Sequence, residues 1–197
     1  ILKLNEIIII LFNLKEKVIM KKLVLLAAVL LSSVGVFAQH EVGSINIQPK
    51  VGINIADLTD ADESDARIGF VVGAEGEYQL TDLFSLTAGL LYSQQGCKYD
   101  DESTKLDYIN VPILANVYVA KGLAVKLGVQ PAFKINDNLP DGADIKSFDF
   151  SIPVGVSYEY SNFQLDARYN WGMTKVADWA DSKNSVFQIT LGYKFAL

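Results

Sequence analysis

The chain has one cysteine and one histidine among its 197 residues. A lone Cys97 cannot close an intrachain disulfide, and it reads as an incidental thiol rather than a nucleophile. A lone His40 leaves no Ser-His arrangement to build at a strand rim, where hydrolases rely on imidazole as the general base. His40 itself is expected to sit on a solvated terminus, and no enzyme activity is expected. Positive charge is also short. Lys plus Arg number 17 against 23 Asp plus Glu, and residues from 39 onward keep 12 of the former and 21 of the latter, about nine net negatives. Nucleic acid is therefore not an expected partner.

Long apolar runs are missing too. None reaches the roughly 18 uninterrupted residues of a membrane-spanning helix. The longest lie near the start, where Met20-Lys21-Lys22, the run Leu23 to Leu31 and the small residue Ala38 read as a secretory signal peptide over 20–38. Residues 1–19 are expected to be a non-native or untranslated extension, and the mature domain to span 39–197. Gln39 rather than cysteine follows the expected cut, which speaks against a lipid anchor. The acidic stretch 57–67 gathers Asp57, Asp60, Asp62, Glu63 and Asp65 but lacks the central glycine and distal glutamate of an EF-hand. It reads as a solvated loop that attracts divalent cations loosely, so no specific metal site is expected. No cofactor is expected either.

What the chain does have is alternation at period two, the signature of strands with one apolar and one polar face. In "GVSYEYSNFQLDARYNW", residues 155–171, Val156, Tyr158 and Tyr160 alternate up to the break at Ser161-Asn162. Phe163, Leu165, Ala167, Tyr169 and Trp171 continue beyond it. This predicts a hairpin. Eight such segments can be traced, beginning at Ile45, Ile68, Phe84, Ile109, Leu123, Phe148, Phe163 and Phe187. Short turns are expected near 81–83, 120–122 and 161–162. Longer polar loops are expected at 57–67, 97–105, 136–146 and 173–184. Short and long connections thus alternate, which predicts an eight-stranded antiparallel up-and-down transmembrane β-barrel with both termini on the short-turn side. Pro49, Pro112, Pro131 and Pro153 fall inside the strands, where each removes a ladder donor, and bulges or rims are the expected places for them.

A soluble lipocalin-like carrier has the same strand count with its apolar face inward. The aromatic residues separate the two readings. Phe70, Tyr78, Phe84, Tyr92, Phe148, Tyr160, Phe163, Trp171, Phe187 and Phe195 fall near strand ends, while Val72, Ala74, Leu86, Ala88, Leu127, Val154 and Leu165 fall between. Two aromatic belts around an aliphatic waist suit a bilayer, because amphipathic rings favour the headgroup levels. The opposite face carries Lys50, Lys126, Lys134, Arg168 and Lys194 against Glu75, Glu77, Asp149, Glu159 and Asp166. Five cations and five carboxylates in a small lumen predict a paired network that plugs it, since an unpaired buried charge costs several kcal/mol. The expected hairpin registers set Gly89 against Glu75 and Gly155 against Arg168. The four long loops hold 13 acidic and 6 basic residues, which makes that end of the barrel acidic.

The stretches "LLYSQQGCK", "LDYINVPILANVY", "RYNWGMT" and the closing "QITLGYKF" resemble the outer-membrane β-barrel family of Bacteroidota that includes PorT-like proteins. The resemblance runs from about residue 45 to the end. It implies an outer-membrane location with loops extracellular and termini periplasmic, membrane lipid as surroundings, and the barrel-assembly machinery as a partner during biogenesis. None of these motifs is a catalytic signature. The expected role is structural or partner-binding, through contacts of the acidic loops with an extracellular or envelope protein. A PorT-like accessory role in protein secretion and a lipocalin-like carrier are the alternatives.

Overall fold

The computed structural model describes residues 40–59, 64–99, 102–138, 145–177 and 181–197. The expected extension and signal peptide lie outside these residues, as do Asp60, Asp62, Glu63, Asp100 and Asp101 of the acidic loops. The described residues contain strands and no helix: β1 (Ile45–Thr59), β2 (Ser64–Gln79), β3 (Phe84–Tyr99), β4 (Glu102–Asn110), β5 (Ile113–Ala120), β6 (Leu123–Asp137), β7 (Phe148–Tyr160), β8 (Phe163–Gly172), β9 (Lys183–Tyr193) and β10 (Phe195–Ala196). β4 and β5 continue one another, both pairing with β3 and with β6. β9 and β10 likewise continue one another along β1. The ten segments therefore make eight staves, each antiparallel to its neighbours, and the pairing of β1 with β9 closes the sheet into a barrel. Closure removes the free sheet edge, which a membrane interior does not tolerate.

Alternation sorts the side chains as the sequence predicts. On β1, Ile45, Ile47, Val51, Ile53 and Ile55 are exposed on the outer face, while Asn46, Gln48, Lys50 and Asn54 are buried inside. The same split holds on β8, where Leu165 and Trp171 face out and Gln164, Asp166, Arg168 and Asn170 face in. A carrier of lipocalin type needs the reverse, so that alternative is set aside.

The prolines depart from expectation. They sit at neither rims nor bulges but at mid-strand interruptions of the hydrogen-bond ladder. Val111-Pro112 divides β4 from β5 without changing the register to β3, and Val111 N donates to the carbonyl of Pro131 across the break. Pro49 lies where β1 passes from pairing with β9 to pairing with β10. Each proline thus stands where its missing N–H leaves the side-chain alternation intact. The register shifts lie elsewhere, between Ala66 and Val71, between Asp107 and Tyr108, and between Tyr118 and Ala120. The loops at 57–67 and 97–105 are also shorter than predicted. β1 runs to Thr59, β2 starts at Ser64, β3 runs to Tyr99 and β4 starts at Glu102, so most of both stretches is strand.

Candidate functional site

The lumen collects the ionisable residues of the inner face into layers. The central layer draws on β1, β2, β6 and β8. Asp166 and Arg168 are two residues apart on β8 and so share a face. Arg168 grips Asp166 side-on, Nε to Oδ1 and Nη2 to Oδ2, each at 2.8 Å. Its Nη2 also lies 2.9 Å from Glu75 Oε1. Lys50 Nζ bridges Glu75 at 2.7 Å and Asp166 at 3.2 Å, and Lys126 Nζ reaches Asp166 at 2.7 Å and Gln164 at 3.1 Å. All five charged side chains are essentially solvent-free. Space for them comes from glycine on the neighbouring strands. Glu75 pairs with Gly89 and Arg168 with Gly155, the registers expected from the short turns. A Cβ on Gly155 would lie 2.7 Å from Arg168 Cβ, and one on Gly89 would lie 2.7 Å from Glu75 Cγ.

A second layer lies toward the short turns. Lys194 Nζ binds Glu159 at 2.6 Å and Glu77 at 2.9 Å. Ser85 donates to Glu77 at 2.7 Å, and the hydroxyl of Tyr118 donates to the same carboxylate. His40 does not dangle in solvent as expected. Its Nε2 meets Glu159 Oε1 at 2.9 Å, tying the segment ahead of β1 across to β7.

The remaining predicted lumen residues stand apart from these layers. Asp149 joins no ion pair among the described residues. It accepts from Thr174 Oγ1 and, at 2.8 Å, from Asn184 Nδ2, which also lies 3.4 Å from the Tyr108 hydroxyl. Lys134 pairs with Asp137 at 2.6 Å near the long-loop end. The same end holds a small apolar cluster of Leu106, Tyr108, Ala132 and Val176, with Leu58 and Ile145 packed against it. Of the ten charged residues expected on the inner face, eight lie in these two layers, and Asp149 and Lys134 stand apart from them. Outside the expected charged set, the neutral side chains of Tyr118 and Ser85 enter the second layer. Both fall on the polar phase of their strands, which was the available signal.

The aromatic candidates lie on the outer face. Phe70, Tyr78, Phe84, Phe148, Tyr160, Phe163, Trp171, Phe187 and Phe195 are exposed there. Tyr92 is half-buried beneath Phe70, with ring centroids 5.3 Å apart. Near the short turns Tyr193 packs on Phe163 at 5.1 Å and on Phe195 at 4.7 Å.

Residues 37–178 match the outer membrane protein beta-barrel domain family. The chain belongs to that family. As a member of the outer-membrane β-barrel family it is embedded in outer-membrane lipid, so the exposed apolar face meets bilayer rather than water. Among solved structures it is similar to Neisserial surface protein A, at 19% identity over 77% of this chain and 97% of that one, with a TM-score of 0.52. It is also similar to the attachment invasion locus protein Ail of Yersinia pestis, at 15% identity over 79% and 100%, TM-score 0.49. A third is OprG of Pseudomonas aeruginosa, at 16% identity over 81% and 99%, TM-score 0.47. At these identities the likeness to Neisserial surface protein A speaks for the fold alone. No match was found among curated proteins.

Proposed function

We propose that the chain is a non-conducting outer-membrane barrel whose lumen is plugged by its ion network and whose work is structural or partner-binding, carried by the acidic long-loop end. In this reading the long loops face the outside of the cell, the short turns and termini face the periplasm, and the outer aromatics form two interfacial belts. The observation that carries it is the central layer. Five charged groups from four strands on different sides of the barrel meet within salt-bridge distance and are closed to solvent. A pore needs a wet path along its axis, and this arrangement fills the axis with side chains that hold one another.

The test is ion conductance in planar lipid bilayers. The wild-type barrel is expected to be electrically silent. Steady ohmic conductance from the unaltered chain would overturn the plug, while conductance that appears only in Arg168→Ala would support it. Labelling of a cysteine placed at Lys146 by a membrane-impermeant reagent on intact cells tests the orientation. Labelling is expected, and its absence with a folded barrel would reverse the assignment.

A further inference from the structure

One junction of the barrel is unlike the others. Elsewhere each stave pairs with the stave that precedes or follows it along the chain, but β1 pairs with β9 and β10, from the far end of the domain. Closing so distant a pair carries the largest loop-closure entropy of any junction. Its ladder is also interrupted. Pairing with β9 ends at Lys50↔Gly192 and resumes with β10 at Ile47↔Phe195, which leaves Gln48 and Pro49 with no ladder partner on that side among the described residues. Lys194, at the gap, gives its N–H to the carbonyl of Asn162 at 2.7 Å rather than to β1. Beyond the gap β10 is two residues long.

Ion contacts bridge this junction by passing over whole strands. Lys50 on β1 reaches Asp166 on β8 over β9, at 3.2 Å. Arg168 on β8 reaches Glu75 on β2 over β9 and β1, at 2.9 Å. Lys194, between β9 and β10, reaches Glu77 on β2 over β1, also at 2.9 Å. Glycine opens the crossing. Lys50 lies between Gly73 on β2 and Gly192 on β9, so neither cross-strand neighbour has a side chain to stand in its way. A Cβ on Gly192 would lie 2.8 Å from Gln48 Cγ. Lys126 is the contrast: it is as deeply buried, but its contact with Asp166 runs from β6 to β8 over β7, away from the junction.

We infer that the ion network is a clasp on the closing junction: Lys50, Arg168 and Lys194 hold β1 and β2 against β8, β9 and β10 where the backbone ladder is interrupted, and the barrel opens at this junction first when it unfolds. A contact that passes over a strand cannot survive separation of the strands beneath it. Opening the junction therefore parts three buried ion contacts at once, before water can replace either partner, and this raises the barrier to opening. Opening any junction between β2 and β8 on the far side of the barrel leaves these three contacts intact. The clasp goes beyond the plug proposed above and does not require it, because the same contacts brace the junction whether or not ions pass along the lumen.

The test is the rate of unfolding in urea of the refolded full-length chain in detergent micelles, followed by loss of the heat-dependent gel shift that marks a folded barrel. In a Cys97→Ser background, Ile53→Cys with Ile189→Cys places two register partners on the outer face across the junction, and Val125→Cys with Val156→Cys does the same between β6 and β7. Each pair is joined by a short bifunctional maleimide. Lys50→Gln, which removes the charge but keeps a hydrogen-bonding side chain, should speed unfolding about tenfold or more without a cross-link and with the β6–β7 cross-link. With the β1–β9 cross-link the junction cannot open first, and the same substitution should change the rate by no more than about twofold. Lys126→Gln removes an equally buried lysine that does not cross the junction, and it should speed unfolding less than Lys50→Gln. Should Lys50→Gln not fold, Lys194→Gln gives the same comparison, since Ser85, Tyr118 and His40 still hold its two carboxylates. An acceleration that is the same in all three backgrounds would overturn the clasp, and so would equal acceleration by Lys126→Gln and Lys50→Gln, which would show that loss of any buried lysine acts alike.

Discussion

The two ion layers of the lumen use similar residues and are built on different terms. In the central layer every charged group answers other charges, and among the described residues the one neutral side chain bonded to it is Gln164. In the layer toward the short turns, Glu77 is held by Lys194 together with the hydroxyls of Ser85 and Tyr118, and Glu159 by Lys194 together with His40. The first has few fall-back partners when one member is lost; the second has neutral donors already in place. Removing one partner of a buried pair is costly because of the charge left behind, so the two layers should respond unequally to the same kind of substitution.

The largest effect is expected at the hub. Arg168→Ala deprives Asp166 of its side-on partner and Glu75 of one of its two cations, and should destabilise the barrel by about 3–5 kcal/mol. Urea unfolding in detergent or lipid measures it. Next comes the outer face, which belongs to the same staves but answers to lipid. Leu127→Arg places a charge in the aliphatic waist at an expected cost of about 2–4 kcal/mol, whereas Tyr160→Arg, near the interface, should cost about 0–1 kcal/mol. Equal costs at the two positions would break the assignment of waist and belt. Lys194→Ala ranks third, at about 1–3 kcal/mol, because Ser85, Tyr118 and His40 remain to hold the two carboxylates. A loss as large as that of Arg168→Ala would show that the neutral donors contribute nothing and that the layers are equivalent.

The same contrast explains what could be read in advance. Strand number, inner and outer faces, and the pairing of Gly155 with Arg168 follow from period two and from the position of three tight turns, all of which are local. The inward phase of the charged residues was legible because it is a local alternation, whereas their division into two layers depends on register across the whole barrel. Asp149 was misread because charge counting cannot distinguish a carboxylate held by lysine from one held by Thr174 and Asn184, donors that arrive from a distant loop and strand. His40 was misread for a related reason: its partner lies 119 residues away, and no local pattern encodes that reach. The prolines were legible as an anomaly but not as a solution. Three-dimensional register decides that the missing donor of Pro112 coincides with a ladder break shared with Pro131.

The smallest effect is expected at the long-loop end, and it bounds the comparison from the other side. Lys175 and Asp181 form an ion pair as close as any in the lumen, yet the side chains are 49% and 80% exposed. The hydrogen bond and charge of Lys175 hold the Asp181 carboxyl below its ordinary range. A carboxyl lowered in this way adds stability above its unfolded-state value and loses it as pH falls through the folded one. Here that contribution should be undetectable, because water and salt screen an exposed pair and two long side chains must be ordered to make it. Lys175→Ala should therefore leave the urea midpoint unchanged at neutral pH and at pH 4 alike. A shift approaching that of Lys194→Ala would mean that proximity of opposite charges, rather than their removal from water, governs stability throughout this barrel.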